Sequence, residues 1–168
     1  MKVICKVGDI VDEHVDVLVS TGNVQLNMSG GVNGEILLRG GQTVQDELHQ
    51  YLRDHGVRHV EPGAVLEVSP GPTRARCLFY AAAIDAFYDS SVELVHRTIS
   101  KALSMAADRG ARTVALPALA TGYGHLKFEE FAAALKLAIE QEYPGIAELR
   151  VVLRHEGDAE IVNRELKT

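Results

Sequence analysis

Two Gly-rich runs and one carboxylate carry the chemistry that this sequence offers. The first run is Ser20-Thr21-Gly22-Asn23-Val24-Gln25-Leu26-Asn27-Met28-Ser29-Gly30-Gly31-Val32-Asn33-Gly34. It leaves a short apolar segment over 15–19 and enters Glu35-Ile36-Leu37-Leu38, which can start a helix. A strand, a Gly-rich loop and a helix N-terminus together make a seat for a phosphate-like anion, because backbone N–H groups point outward and the helix dipole adds partial positive charge. Gly and Asn also mark ordinary turns, so one such run is a weak signal. A second run, Ala118-Leu119-Ala120-Thr121-Gly122-Tyr123-Gly124-His125, again joins a buried strand to a helix, and Gly122 and Gly124 let the backbone approach a ligand closely. Two such loops at one edge could clamp two phosphates. Asp9 follows the first strand. It either solvates a turn or accepts a hydrogen bond from a donor such as an exocyclic amine.

Other chemistries find less support. His49, His55 and His59 suggest a metal, but Gly56 interrupts the helical spacing and no Cys is near, so surface histidines are expected and no metal site. No Gly-x-Ser-x-Gly elbow is present for a Ser-His-Asp hydrolase. Neither Gly cluster is followed by Lys-Ser/Thr, and Gly-x-Gly-x-x-Gly is absent, which argues against a Walker loop and a hydride-transfer dehydrogenase. The formal net charge of −6 argues against general nucleic-acid binding through phosphate neutralisation. Backbone amides carry no formal charge, so an acidic chain can still cradle a pyrophosphate. Cys5 and Cys77 sit in strand-like runs and read as buried reduced thiols. No apolar run is long enough for a bilayer, and Met1-Lys2-Val3-Ile4-Cys5 reads as a first strand rather than a signal peptide. A cytoplasmic, monomeric protein is expected.

The elements that must hold these loops follow from periodicity and punctuation. The 168 residues suit one domain, 1–168. Short strands are expected over 2–6, 15–19, 64–68, 77–83, 113–117 and 149–153. A helix over 44–54 is capped by Thr43 and stopped by Gly56. Ser90 and Glu93 have capping-box spacing ahead of a helix whose inner stripe is Val92, Val95, Ile99, Leu103 and Ala106. Further helices are expected over 128–143 and, capped by Asp158, to residue 166. The alternation in the second half implies parallel crossovers and helices on both faces of a mixed sheet. Ligands in such folds sit outside the carboxyl ends of the strands.

The residues that do this work resemble a known family. Val7-Gly8-Asp9-Ile10, Val15-Asp16-Val17-Leu18-Val19-Ser20-Thr21-Gly22-Asn23 and Gly30-Gly31-Val32-Asn33-Gly34-Glu35-Ile36 look like the opening of a macro domain. Ala115-Leu116-Pro117-Ala118-Leu119-Ala120-Thr121-Gly122-Tyr123-Gly124 resembles its second phosphate loop. The resemblance covers nearly the whole chain, takes in both histone-variant and bacterial stand-alone members, and implies a three-layer α/β/α sandwich with a mixed, mostly parallel sheet. It implies ADP-ribose, free or carried on a protein, as the ligand, with no cofactor. Asp9 would bond the adenine amino group with help from the Ile10 backbone, and Asn23 would lie near the distal ribose. Gly30, Gly31, Val32 and Asn33 would wrap the diphosphate and distal ribose from one side. Ala120, Thr121, Gly122, Tyr123 and Gly124 would close from the other.

Departures from the family pattern bear on turnover. Many hydrolytic members carry an Asn-Ala-Ala-Asn-like strand end and an Asp after Gly-Gly-Val. Here the strand end is Ser20-Thr21-Gly22-Asn23, and Asn33 holds the Asp position. An amide is no carboxylate base. The second loop is one residue shorter than the common pattern, and no aromatic follows the last strand. Arg154 and His155 stand there instead, and either could stack on a base. Binding is therefore the first expectation. The alternatives are hydrolysis of an ADP-ribosyl linkage or of O-acetyl-ADP-ribose, with Asn23 as the catalytic candidate beside a substrate-positioned water, and a protein-contact domain with a degenerate site.

Overall fold

The computed structural model describes residues 1–168. Six strands form one mixed sheet: β1 (Lys2–Val7), β2 (Val17–Gly22), β3 (Val65–Val68), β4 (Cys77–Ala82), β5 (Thr113–Leu116) and β6 (Glu148–Leu153). Their order is β1-β6-β5-β2-β4-β3. Every neighbouring pair is parallel except β3 with β4. Five α-helices join them: α1 (Gly31–Leu38), α2 (Gln42–His55), α3 (Val92–Asp108), α4 (Phe128–Ile139) and α5 (Glu156–Lys167).

The helices lie in two layers, one on each face of the sheet. Strand alternation sends Val17 and Val19 of β2, with Phe79 and Ala81 of β4, into a core shared with α3, α4 and α5. Leu18 of β2, with Leu78 and Tyr80 of β4, enters a second core with Ile36 of α1 and Val44 and Leu48 of α2. A sheet buried on both faces needs near-continuous apolar strands, and β4 reads Cys-Leu-Phe-Tyr-Ala-Ala for that reason. The expected inner stripe of α3 is buried at Val95, Ile99, Leu103 and Ala106. No helix is long and apolar enough to cross a membrane. Cys5 and Cys77 are free, and burial pushes both thiols up to about 11.

Several boundaries differ from the sequence expectation, each for a local reason. β2 starts at Val17 and continues to Gly22, because residues 17–22 pair in register with all of β4. α2 begins at Gln42 with Gly41, not Thr43, as its cap residue. A Cβ at Gly41 would lie 2.6 Å from the Ile36 carbonyl oxygen, so the close passage of α1 into α2 requires glycine. Ser91, not Ser90, caps α3 by accepting from the Leu94 amide at 3.1 Å, while the Ser90 hydroxyl donates to the Ala83 carbonyl. α4 stops at Ile139 rather than at residue 143, since the buried Tyr143 hydroxyl takes the Ala138 carbonyl at 2.9 Å. α5 starts at Glu156 after His155, and Asp158 lies in its first turn instead of capping it.

Candidate functional site

The carboxyl ends of the five parallel-paired strands open on one cavity of about 420 Å³. Gly8 follows β1, Gly22 and Asn23 end β2, Ile84 follows β4, Pro117 follows β5, and Leu153 and Arg154 close β6, and all of them line it. Of the residues expected from sequence, Ile10, Asn23, Gly30, Gly31, Val32, His155 and the whole of 120–124 also line it. Asp9 and Asn33 do not.

The first loop runs directly into α1, which begins at Gly31, four residues earlier than Glu35. Gly30 holds φ 62°, ψ 171°, a conformation that only glycine adopts readily. No side chain caps α1, and the amides of Gly31, Val32 and Asn33 donate to no acceptor within the protein. These are the orphan donors of a helix N-terminus. The loop ahead of them is tightly held. Asn23 accepts from the Asn27 amide at 3.1 Å and donates to the Asn27 carbonyl at 3.2 Å. Buried Gln45 of α2 clasps the Met28 amide and the Leu26 carbonyl at 2.7 and 2.8 Å. The Asn23 side chain therefore serves as a staple and keeps only one N–H and one acceptor site for a ligand.

The second loop is built the same way. Ala120 and His125 take φ of 64° and 55°, unusual for residues with a Cβ. Gly124 cannot be anything larger, since a Cβ there would lie 2.6 Å from both the Ala120 carbonyl oxygen and Ile84 Cγ2. The amides of Gly122, Tyr123 and Gly124 again have no acceptor within the protein. Two sets of three free amides thus sit at the two loops, and all but that of Asn33 belong to cavity-lining residues. The loops also touch: Tyr123 covers Gly30, and its ring meets Tyr88 edge-on with centroids 6.3 Å apart.

Residue 33 points elsewhere. Asn33 is buried and donates from Nδ2 to the Thr21 carbonyl at 2.8 Å, tying α1 to the end of β2, while its Oδ1 has no partner. Ser20, also fully buried, leaves its hydroxyl unpaired. Asp9 accepts from the Val11 amide at 3.1 Å through Oδ1 and is met by Arg39 at 2.8 Å through Oδ2.

Sequence reasoning missed Tyr88, Phe128 and Asp158 as lining residues. His155 precedes α5 and Asp158 lies in its first turn three residues on, and Phe128 opens the helix after the second loop, so both carried a signal. Tyr88, in the connection after β4 with φ 64°, carried none. Asp158 is the one acidic residue lining the cavity, Arg154 is the one cationic side chain there, and His155 stands beside it.

A mixed sheet between two helix layers, with amide-rich loops at its strand ends, defines an α/β domain whose cavity suits an anion. The particular family follows from comparison. The family model described as "Macro domain" matches residues 19–135, and the chain belongs to that family. A macro domain-containing protein of Streptomyces griseus is 29% identical over 149 residues, covering 87% of this chain and 84% of the relative. A point mutant of the Oceanobacillus iheyensis macrodomain with ADPR superposes with a TM-score of 0.83 at 25% identity, covering 98% of this chain and 90% of that one. The Trypanosoma brucei macrodomain in complex with ADP-ribose has a TM-score of 0.82 at 16% identity, covering 96% and 68%.

Proposed function

We propose that this chain binds ADP-ribose, free or as a modification on a protein, in the cavity between its two Gly-rich loops. One observation carries the reading: six backbone amides at two facing loops lack acceptors within the protein. Donors of that number and arrangement suit the oxygens of a diphosphate. The Macro domain family and the ADP-ribose held by the Trypanosoma brucei macrodomain support the choice of ligand. In this reading Gly31 and Val32 donate from one side, and Gly122, Tyr123 and Gly124 from the other. Asp9, which stands between the lining residues Gly8 and Ile10 without lining the cavity itself, receives the adenine amino group at the rim. Arg154 offers a cationic face and His155 an imidazole plane to the base where an aromatic ring is absent. The spare N–H of Asn23 reaches the distal ribose.

Asn33 favours binding over turnover. It is an amide, it is buried, it is engaged with Thr21, and it lies outside the cavity lining. Asp158, the one lining carboxylate, stands three residues from His155, which this reading assigns to the base. Titration calorimetry with ADP-ribose tests the proposal, with saturable one-to-one binding expected. Folded protein that produces no heat at high micromolar ligand would overturn it. Incubation with radiolabelled, ADP-ribosylated protein separates a reader from a hydrolase: retention of label is expected, and release abolished by Asn23→Ala would make the chain an enzyme.

A further inference from the structure

We infer that Arg39 is a positioning residue that sets the base preference of this site by fixing the carboxylate of Asp9. The inference rests on the reading above, in which Asp9 receives the adenine amino group. Arg39 stands at the C-terminal end of α1, and its guanidinium binds three carboxylates at once. Nη2 donates to Asp9 Oδ2 at 2.8 Å, Nη1 to Asp12 Oδ1 at 2.9 Å, and Nε to Glu35 Oε1 at 2.8 Å. Two of these carboxylates belong to the turn after β1 and the third to α1 itself. A planar fork with fixed donor directions holds such partners at defined angles, as a lysine cannot.

The acceptor sites of Asp9 show what this achieves. Oδ1 takes the Val11 amide at 3.1 Å, and Oδ2 takes Arg39, with Arg154 Nη1 approaching the same oxygen at 3.6 Å. A carboxylate has about four lone-pair sites, of which Val11 and Arg39 take one on each oxygen; Arg154 crowds the second site of Oδ2, and Oδ1 keeps one open. Donors on both oxygens stop the group rotating, and the free site has a fixed direction. A 6-amino purine presents an N–H to it. A 6-oxo purine presents an oxygen, which repels it. α1 extends the consequence, because its other end carries the Gly31 and Val32 amides. Arg39 thereby ties the carboxylate that reads the base to the helix that receives the phosphates.

The test compares ADP-ribose with its inosine counterpart on the wild-type chain and on Arg39→Ala, Arg39→Lys and Asp9→Asn. The wild type is expected to prefer the adenine ligand. Arg39→Ala should weaken ADP-ribose about tenfold, the order expected on losing a charge-assisted hydrogen bond, and weaken the inosine ligand less, so that the preference collapses. Arg39→Lys should restore part of it. In the Asp9→Asn background, Arg39→Ala should change the preference no further. Equal weakening of both ligands by Arg39→Ala, or additive effects in the double variant, would assign Arg39 a purely structural role and overturn the inference. A wild type that fails to bind ADP-ribose overturns the functional reading itself.

Discussion

The ring of Tyr123 lies directly over Gly30, with its hydroxyl and ring edge in the space a Cβ at Gly30 would occupy. Each residue belongs to a different Gly-rich loop, so this contact is where the two halves of the cavity meet. Gly30→Ala should fail twice. It forces an alanine into φ 62°, ψ 171°, which costs about 1–3 kcal/mol, and it displaces Tyr123. We expect lower stability in urea denaturation and weaker ADP-ribose binding by calorimetry. Tyr123→Ala should weaken binding while leaving stability nearly unchanged, since Tyr123 is 58% exposed.

A second glycine requirement lies beneath the site. The buried Tyr80 hydroxyl donates to the Asn23 carbonyl at 2.8 Å, and burial pushes its ionisation far above the usual phenol range. Gly22 makes room for that hydroxyl, because a Cβ there would collide with it and lie 2.7 Å from Asn33 Nδ2. Tyr80→Phe leaves the Asn23 carbonyl without its partner and should cost about 1–2 kcal/mol. Gly22→Ala forces Tyr80, Asn33 or the strand end to move and should cost more. Urea midpoints at constant slope give the comparison.

The elements were legible where the pattern is local. The inner stripe of α3 and the apolar run of β4 are periodicities that the sequence states outright. The start of α1 was not, because Gly31 and Gly34 are poor helix formers and the helix is held by contacts from afar: Asn33 to Thr21, and Arg39 to Asp9. The separation of thirty positions between Asp9 and Arg39 leaves no spacing signal. The two loops were readable as anion cradles because Gly, Asn and Thr cluster there. The pairing of Asn23 with Asn27, which takes up most of that side chain, was not. Whether Asn33 faces the ligand or the sheet depends on the helix phase of α1, which in turn depends on where α1 begins.

Acid should weaken the fold through Glu13. This residue is only 8% exposed and accepts from Lys6 at 2.6 Å and Arg150 at 3.0 Å, so β1, β6 and the turn between β1 and β2 meet at its carboxylate. Burial pushes its ionisation up, but the hydrogen bonds from Lys6 and Arg150 outweigh that and hold the carboxyl below its usual range. Asp16 and Glu67 are lowered as well. A lowered folded value means that the unfolded chain takes up protons first as pH falls. The stabilisation is complete above the unfolded carboxyl range, near pH 5 and up, and is lost as pH drops through the folded values. Stability measured in urea should therefore fall from pH 6 to pH 3, and Glu13→Gln should flatten that slope. An unchanged slope would remove Glu13 from the account.

Asn33→Asp would put a carboxylate where the amide now stands, and its consequence here follows from the partner that Asn33 already has. Nδ2 of the buried Asn33 donates to the carbonyl of the half-buried Thr21 at 2.8 Å. An ionised carboxylate in that place faces a carbonyl oxygen with no donor, and an uncompensated buried charge costs about 3 kcal/mol or more. The protonated acid can still donate to Thr21, so burial and the carbonyl both raise its folded pKa above the ordinary value of about 3.9. With a raised folded value, stability is retained below the unfolded pKa and lost as pH rises through the folded one. The variant should therefore approach wild-type stability near pH 4 and fall well below it near pH 7.5, the reverse of the Glu13 trend. Paired urea curves at the two pH values read this directly. The same geometry implies that Asn33→Asp alone installs no turnover, because the side chain points to the strand end and not into the cavity. Release of label from ADP-ribosylated protein by this variant would show that α1 can rotate its first turn toward the ligand.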